Sequence, residues 1–146
     1  MPIHLEFRHA DAGIILNCSG ILGVDDFHRA NQAILDKGED LKKWLYSIVD
    51  LTFVESMTLA YEQMPVLLEQ DKKMAALATP GLLVALCSSR DLGFGLARMW
   101  ESLVEPFGWD TQVFRSRMEA EDWVRKNVKL KFGVDLVNSS AADSST

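Results

Sequence analysis

The chain has only two cysteines, Cys18 and Cys87. They stand far apart, each in or behind an apolar run and neither in a Cys-x-x-Cys pair, so both read as small buried hydrophobes and not as a disulfide or a metal pair. Histidine is equally scarce. His4, His9 and His28 fall in or near an N-terminal hairpin and on a solvent-facing helix, which leaves any serine nucleophile without a base and orienting acid and sets hydrolase chemistry aside. Basic charge is in deficit: 21 acidic against 15 basic residues give a net charge of −6, which provides no field to concentrate a polyanion and argues against nucleic-acid binding. Long apolar runs are absent too. The strongest, Leu82 to Cys87, falls far short of the ~20 residues of a spanning helix, and the start MPIHLEFRHADAG carries no signal-peptide core. The expected location is cytoplasmic.

What is present fits one domain. A chain of 146 residues with 48% hydrophobic content buries roughly 68–70% of the surface its unfolded form exposes. The domain is expected over 1–137, with NSSAADSST, residues 138–146, as a disordered tail because nothing in it can enter a core. Ile3 to Phe7 alternates apolar and polar, Arg8 to Gly13 turns, and Ile14 to Cys18 resumes as a second strand, which reads as a hairpin. Asp25 suits the N-cap of a helix to about Lys37, with Phe27, Ala30 and Ile34 on one face and Gly38 as its stop. Trp44 to Val49 reads as a strand closed by Asp50, Leu82 to Cys87 as a buried strand, and Gln112 to Phe114 as a shorter one. Helices between these strands make them parallel, with right-handed crossovers. The fold class is therefore α/β: a hairpin leading into a mostly parallel sheet of four or five strands with about four helices.

From Met57 to Ala78, apolar side chains keep one helical phase through Tyr61, Met64, Leu67, Leu68 and Met74, with Pro65 on the polar side. This predicts one kinked helix or two nearly collinear ones. The wide apolar arc implies contact on two sides, by the sheet and by a helix, a second subunit or a ligand. Asp71 lies inside that arc, either solvated at its rim or partly buried with a partner.

The stretch CSSRDLGFGLARMW, Cys87 to Trp100, invites comparison with nucleotide and phosphate loops. The position six after Cys87 is Gly93, where a phosphatase loop needs arginine. Gly93 and Gly95 without a lysine satisfy neither a Walker loop nor a dinucleotide fingerprint. A structural reading fits better, with Ser88 or Ser89 capping a helix whose Leu92, Leu96, Met99, Trp100 and Leu103 face the sheet and whose end is set by Pro106. Phe94 falls on the polar side one turn before Arg98, and the two together form a candidate contact patch. A last helix spans Glu119 to Val128, with Ala120, Trp123 and Val124 on its inner stripe.

Taken in order, a strand ending NCSG, a capped helix, a strand ending SIVDLT, a helix, a strand, the helix FGLARMW and the run VFRSRMEAEDWV resemble the STAS fold of the bacterial anti-sigma-factor antagonists. The resemblance is closer to the SpoIIAA-like branch of that fold and covers roughly residues 3–128. It implies a non-catalytic module, in some members switched by phosphorylation of a serine after the third strand, and in distant relatives a hydrophobic pocket for lipids. Carried onto this chain, Asp50 and Thr52 mark the end of the switch strand and Ser56 is the nearest equivalent of the phosphoacceptor. Where the family has Asp-Ser-Ser or Asp-Ser-Thr and then Gly, this chain has Glu55, Ser56, Met57 and Thr58. Ser56 or Thr58 as a plain N-cap stays open beside the switch, since a phosphate at a helix start would be tolerated.

Two functions remain. One is a regulatory or protein-interaction module, a homodimer or the receptor of an unidentified protein partner, using the helix faces around Phe94 and Arg98 or the broad apolar arc of Met57 to Ala78. The other is a binder of a small lipophilic ligand, held between the 57–78 helix and the sheet by Tyr61, Met64 and Asp71. Neither an enzyme nor a cofactor or metal site is expected.

Overall fold

The computed structural model describes residues 2–136 and 144–145. Its strands are β1 (Ile3–Arg8), β2 (Gly13–Leu22), β3 (Tyr46–Met57), β4 (Leu83–Cys87), β5 (Asp110–Phe114) and β6 (Ser144–Ser145). Its helices are α1 (Val24–Leu35), α2 (Met64–Leu77), α3 (Asp91–Val104) and α4 (Arg117–Phe132). Spatial order in the sheet is β5-β4-β3-β2-β1-β6. The hairpin β1/β2 is antiparallel, as is the two-residue β6 on β1, while β2, β3, β4 and β5 run parallel. The α/β class and the hairpin-to-parallel-sheet layout are those read from the sequence. The expected tail, 138–146, lies outside the described residues apart from Ser144 and Ser145.

Side chains alternate across the sheet and fill two cores. Leu5, Ile14, Leu16, Val84 and Leu86 join Ala30 and Ile34 of α1, Met74 of α2 and Ala97 of α3 on one face. On the other, Ile15, Tyr46, Ile48, Leu83 and Ala85 meet Ala120, Val124 and Val128 of α4. β4 is buried along its whole length because both cores use it, which explains its uninterrupted apolar sequence. The hairpin turn holds His9, Ala10 and Asp11 in the left-handed region, with φ of 55°, 52° and 71°. Such residues cost on the order of 1 kcal/mol each. Contacts from outside the turn hold it: His9 Nδ1 lies 2.8 Å from the Tyr46 hydroxyl, and Asp11 pairs with Lys37 at 3.4 Å. Gly13 follows because nothing larger fits; a Cβ there would come within 2.1 Å of the Tyr46 ring.

Several boundaries differ from the sequence reading, and each shift has a cause. β2 continues to Leu22, so α1 starts one residue after Gly23, and Asp25 sits inside its first turn instead of capping it. The neighbouring Asp26 accepts the Gly23 N–H at 2.9 Å. β3 does not stop at Asp50 but runs on to Met57, since Asp50 is satisfied within the sheet and the β-favouring LTFV continues the strand. Ser56 is consequently an exposed strand residue and caps no helix. Thr58 donates to the Leu22 carbonyl at 3.3 Å and is not a cap either. α2 opens at Met64 with Pro65 in its first turn, where the missing N–H costs nothing, so the expected kink does not form. Ahead of α2, Tyr61–Gln63 form a single 3-10 turn. Arg90, and neither Ser88 nor Ser89, holds the N-cap position of α3; Ser88 Oγ donates instead to the Arg90 carbonyl at 3.2 Å. Gly93 is packed against that serine, since a Cβ there would lie 2.3 Å from Ser88 Oγ. α4 alone carries a side-chain cap, Ser116 Oγ accepting from the Glu119 N–H at 3.2 Å.

Candidate functional site

Helices α1, α2 and α3 do not close fully over their face of the sheet. Between them lies a cavity of about 100 Å³, floored by Leu16, Val49, Leu51 and Leu86 and walled by Phe27, Met64, Leu67, Leu96, Met99 and Trp100. The sequence sets its apolar character: β2, β3 and β4 present alternate residues to this face, and α2 and α3 present their inner arcs. Next to it, a smaller void of about 50 Å³ lies among Trp44, Met74, Val84 and Trp109. Leu16, Asn31, Val49, Asp71 and Trp100 line both.

Asp71 is the polar feature of this wall. It is 4% exposed, and Trp100 Nε1 donates to its Oδ2 at 3.0 Å. Burial pushes its carboxyl up to about 7, against the opposing pull of that one hydrogen bond. Asn31 and Gln70 are buried beside it as a closed chain, Asn31 Nδ2 donating to Gln70 Oε1 at 3.2 Å and Gln70 Nε2 to the His28 carbonyl at 3.0 Å. Met64 lines the cavity with Asp71. Tyr61 does not; it sits in the 3-10 turn at 65% exposure. Asn31, Gln70 and the Trp100 partnership were missed in the sequence. A signal existed, because a buried indole N–H requires an acceptor and Asp71 lay on the inner arc of the preceding helix.

Asp50 and Thr52 belong to a different arrangement, on the α4 side of the sheet. Asp50, 5% exposed, accepts from Arg117 Nη1 at 2.9 Å, from the Thr52 N–H at 2.9 Å and from Cys87 Sγ at 3.4 Å. Burial by itself would raise the Asp50 carboxyl, but these hydrogen bonds outweigh it and hold it below the usual carboxylate range. Arg117 also bonds Asn17 and Glu121 at 3.1 Å each, and Arg8 bonds Glu6 at 2.7 Å and Glu121 at 3.3 Å. The network ties the start of α4 to three strands. Burial and the adjacent Asp50 push the Cys87 thiol up to about 12, so it carries no thiolate at neutral pH. Arg117 was not legible as the partner of Asp50, nor Asn17 and Glu121 as partners of Arg117, since Arg117 lies 67 positions from Asp50 in the chain.

The remaining expected residues are dispersed. Phe94 does not pair with Arg98; it is half-buried against the core with the Arg115 guanidinium 3.9 Å above its ring. Arg98 is exposed and pairs with Glu101 at 3.4 Å. Ser56 lies where β2 and β3 run past the end of β4 as a two-stranded ribbon, with Ile21 60% and Phe53 72% exposed on it. Arg90 Nη1 reaches this ribbon, donating to the Glu55 carbonyl at 3.0 Å. Among the described residues no three His, Cys, Asp or Glu side chains converge as a metal site, and no helix is long and apolar enough to cross a membrane.

The sequence matches no family model and no curated protein. Among solved structures, an uncharacterised protein of the DUF3478 family with a SpoIIAA-like fold, from Shewanella loihica PV-4, superimposes with a TM-score of 0.56 at 16% identity, over 84% of this chain and 91% of that one. The anti-sigma-factor antagonist SpoIIAA in its unphosphorylated form gives 0.49 at 16% identity, over 84% and 97%. At this identity the first likeness establishes architecture alone: the chain has a STAS-type, SpoIIAA-like α/β fold.

Proposed function

We propose that this chain is a non-catalytic regulatory module that binds a small lipophilic molecule between its sheet and helices α1 to α3. The observation that carries the reading is the cavity of about 100 Å³, walled by methionine, leucine and aromatic side chains around one buried carboxyl. Apolar clefts with a few placed polar groups are how small-molecule sites are built, and a well-packed core leaves few voids larger than a water. The experiment is mass spectrometry on protein purified from its own cells, intact and after denaturation, beside titration of a fluorescent apolar probe. A small molecule released on denaturation, with probe binding blocked by Ala97→Phe at the cavity wall, supports the reading. Protein without a released molecule that also binds no probe overturns it.

A second reading, a protein-interaction module or homodimer, draws on the ribbon. Phe53 and Ile21 are large, exposed and on the same side of it. Phe53→Ser and Ile21→Ser would change stability by only about 0.5 kcal/mol and weaken self-association or partner capture; unchanged sedimentation and pull-down would count against it. Arg98→Glu tests the α3 surface in the same assay. Ser56 on this ribbon remains the candidate phosphoacceptor, with Arg90 at hand to pair a phosphate. An intact mass free of phosphate in cell-derived protein counts against that assignment.

A further inference from the structure

The cavity wall carries one ionisable side chain, and its chemistry specifies a ligand more narrowly than the apolar surface does. Asp71 has Trp100 as its one hydrogen-bond partner among the described residues, through Oδ2. It lines both voids at 4% exposure; its second oxygen accepts from no described residue and keeps an accessible edge instead of being sealed in the packing. Among the described residues no counter-charge faces it. Around it α1 presents Asn31, β2 Leu16, β3 Val49, α3 Trp100, and the segment ahead of β5 Trp109, none of them charged. On α2 itself, Lys72 and Lys73 point to solvent. A buried carboxylate normally has a cationic partner or a full set of donors, because leaving it unpaired is costly. Asn31, the adjacent neutral donor, gives one Nδ2 hydrogen to Gln70 and makes no hydrogen bond to Asp71.

We infer that the missing partner is the ligand, a protonated primary amine on a short alkyl group, whose ammonium bonds Asp71 while its alkyl part fills the apolar cavity. This rests on the cavity being a ligand site. The size follows from volume: an engineered apolar cavity of about 150 Å³ holds benzene, so the void of about 100 Å³ accepts about four heavy atoms, and the neighbouring void of about 50 Å³, which shares Asp71 and Trp100 in its lining, about two more. An alkanoate of the same length would place like charge against Asp71 and be rejected.

The probes are n-pentylamine, n-pentanol and pentanoate, titrated against the full chain at about pH 8 and followed by Trp fluorescence and by the ¹³C signal of the Asp71 carboxyl. Pentylamine should bind at least about tenfold more tightly than pentanoate, as a charge-assisted hydrogen bond in a buried site requires. Its affinity should fall about tenfold from pH 8 to pH 6 as Asp71 takes up a proton. Asp71→Asn should remove the preference for the amine while changing pentanol binding less than about threefold. Equal binding of all three probes, or an amine affinity that ignores both pH and Asp71→Asn, overturns the amine while leaving an apolar site standing. Failure of every probe, pentanol included, overturns the site itself. Should Asp71→Asn not fold, the pH series and the carboxyl signal in the unsubstituted protein decide alone.

Discussion

Replacing Asp71 by asparagine should change how stability depends on pH, with a sign opposite to that of an ordinary acid. The folded carboxyl titrates at about 7, against 3.8 for the group in the open. Below about pH 4 it is protonated in both states and makes no difference. As pH rises toward 7 the unfolded chain gives up the proton while the folded chain must keep it, so this residue progressively destabilises the fold. Above 7 the loss is complete. A difference of about three units corresponds to about 4 kcal/mol at 1.36 kcal/mol per unit. Asparagine keeps the shape, can still accept from the Trp100 indole, and does not titrate. Asp50 and Glu6, whose carboxyls are held low, contribute stability that is lost as pH falls below about 4, and they cancel when the two proteins are compared. Urea unfolding of both proteins from about pH 4 to 8 should therefore show Asp71→Asn gaining about 4 kcal/mol relative to the native chain across that range. A difference constant to within about 1 kcal/mol would refute the reasoning, since it would mean that Asp71 is solvated or has a partner of opposite charge.

Other substitutions test the frame around the site. Arg117→Ala leaves Asp50 buried without its cation and should cost about 2–4 kcal/mol; adding Asp50→Asn should recover part of the loss, and simple additivity in denaturation would argue against the pair. Gly13→Ala drives a methyl into the Tyr46 ring and should cost about 1–3 kcal/mol, relieved when Tyr46→Leu makes room; a thermal midpoint equal to that of the native chain would contradict the contact. Phe94→Ala should cost about 2–3 kcal/mol, because the ring is packed against the core beneath Arg115, and a change below about 0.5 kcal/mol would return it to the surface role that its helical phase implied.

The sequence by itself determined the class of the fold. Alternation in Ile3 to Phe7, the unbroken apolar run into Cys87 and the helical phase of the intervening segments are local signals, and local signals are what side-chain period records. It also placed Asp71 on an inward arc, which made the residue a candidate without deciding whether it was buried. Tertiary structure decided that, because burial depends on α3 delivering Trp100 to it from 29 positions away. The same holds for β3. An aspartate in mid-strand reads locally as a stop, yet Asp50 is accommodated by Arg117, 67 positions distant, and the strand continues for seven more residues. That continuation moved Ser56 off a helix start and onto an exposed ribbon, a change no local pattern could record. Phe94 shows the limit from the other side. Its helical phase put it among polar residues, but Arg115 from the β5–α4 connection covers it. A helix face names the direction in which a side chain leaves the backbone, and only the packing of other elements decides what it meets there.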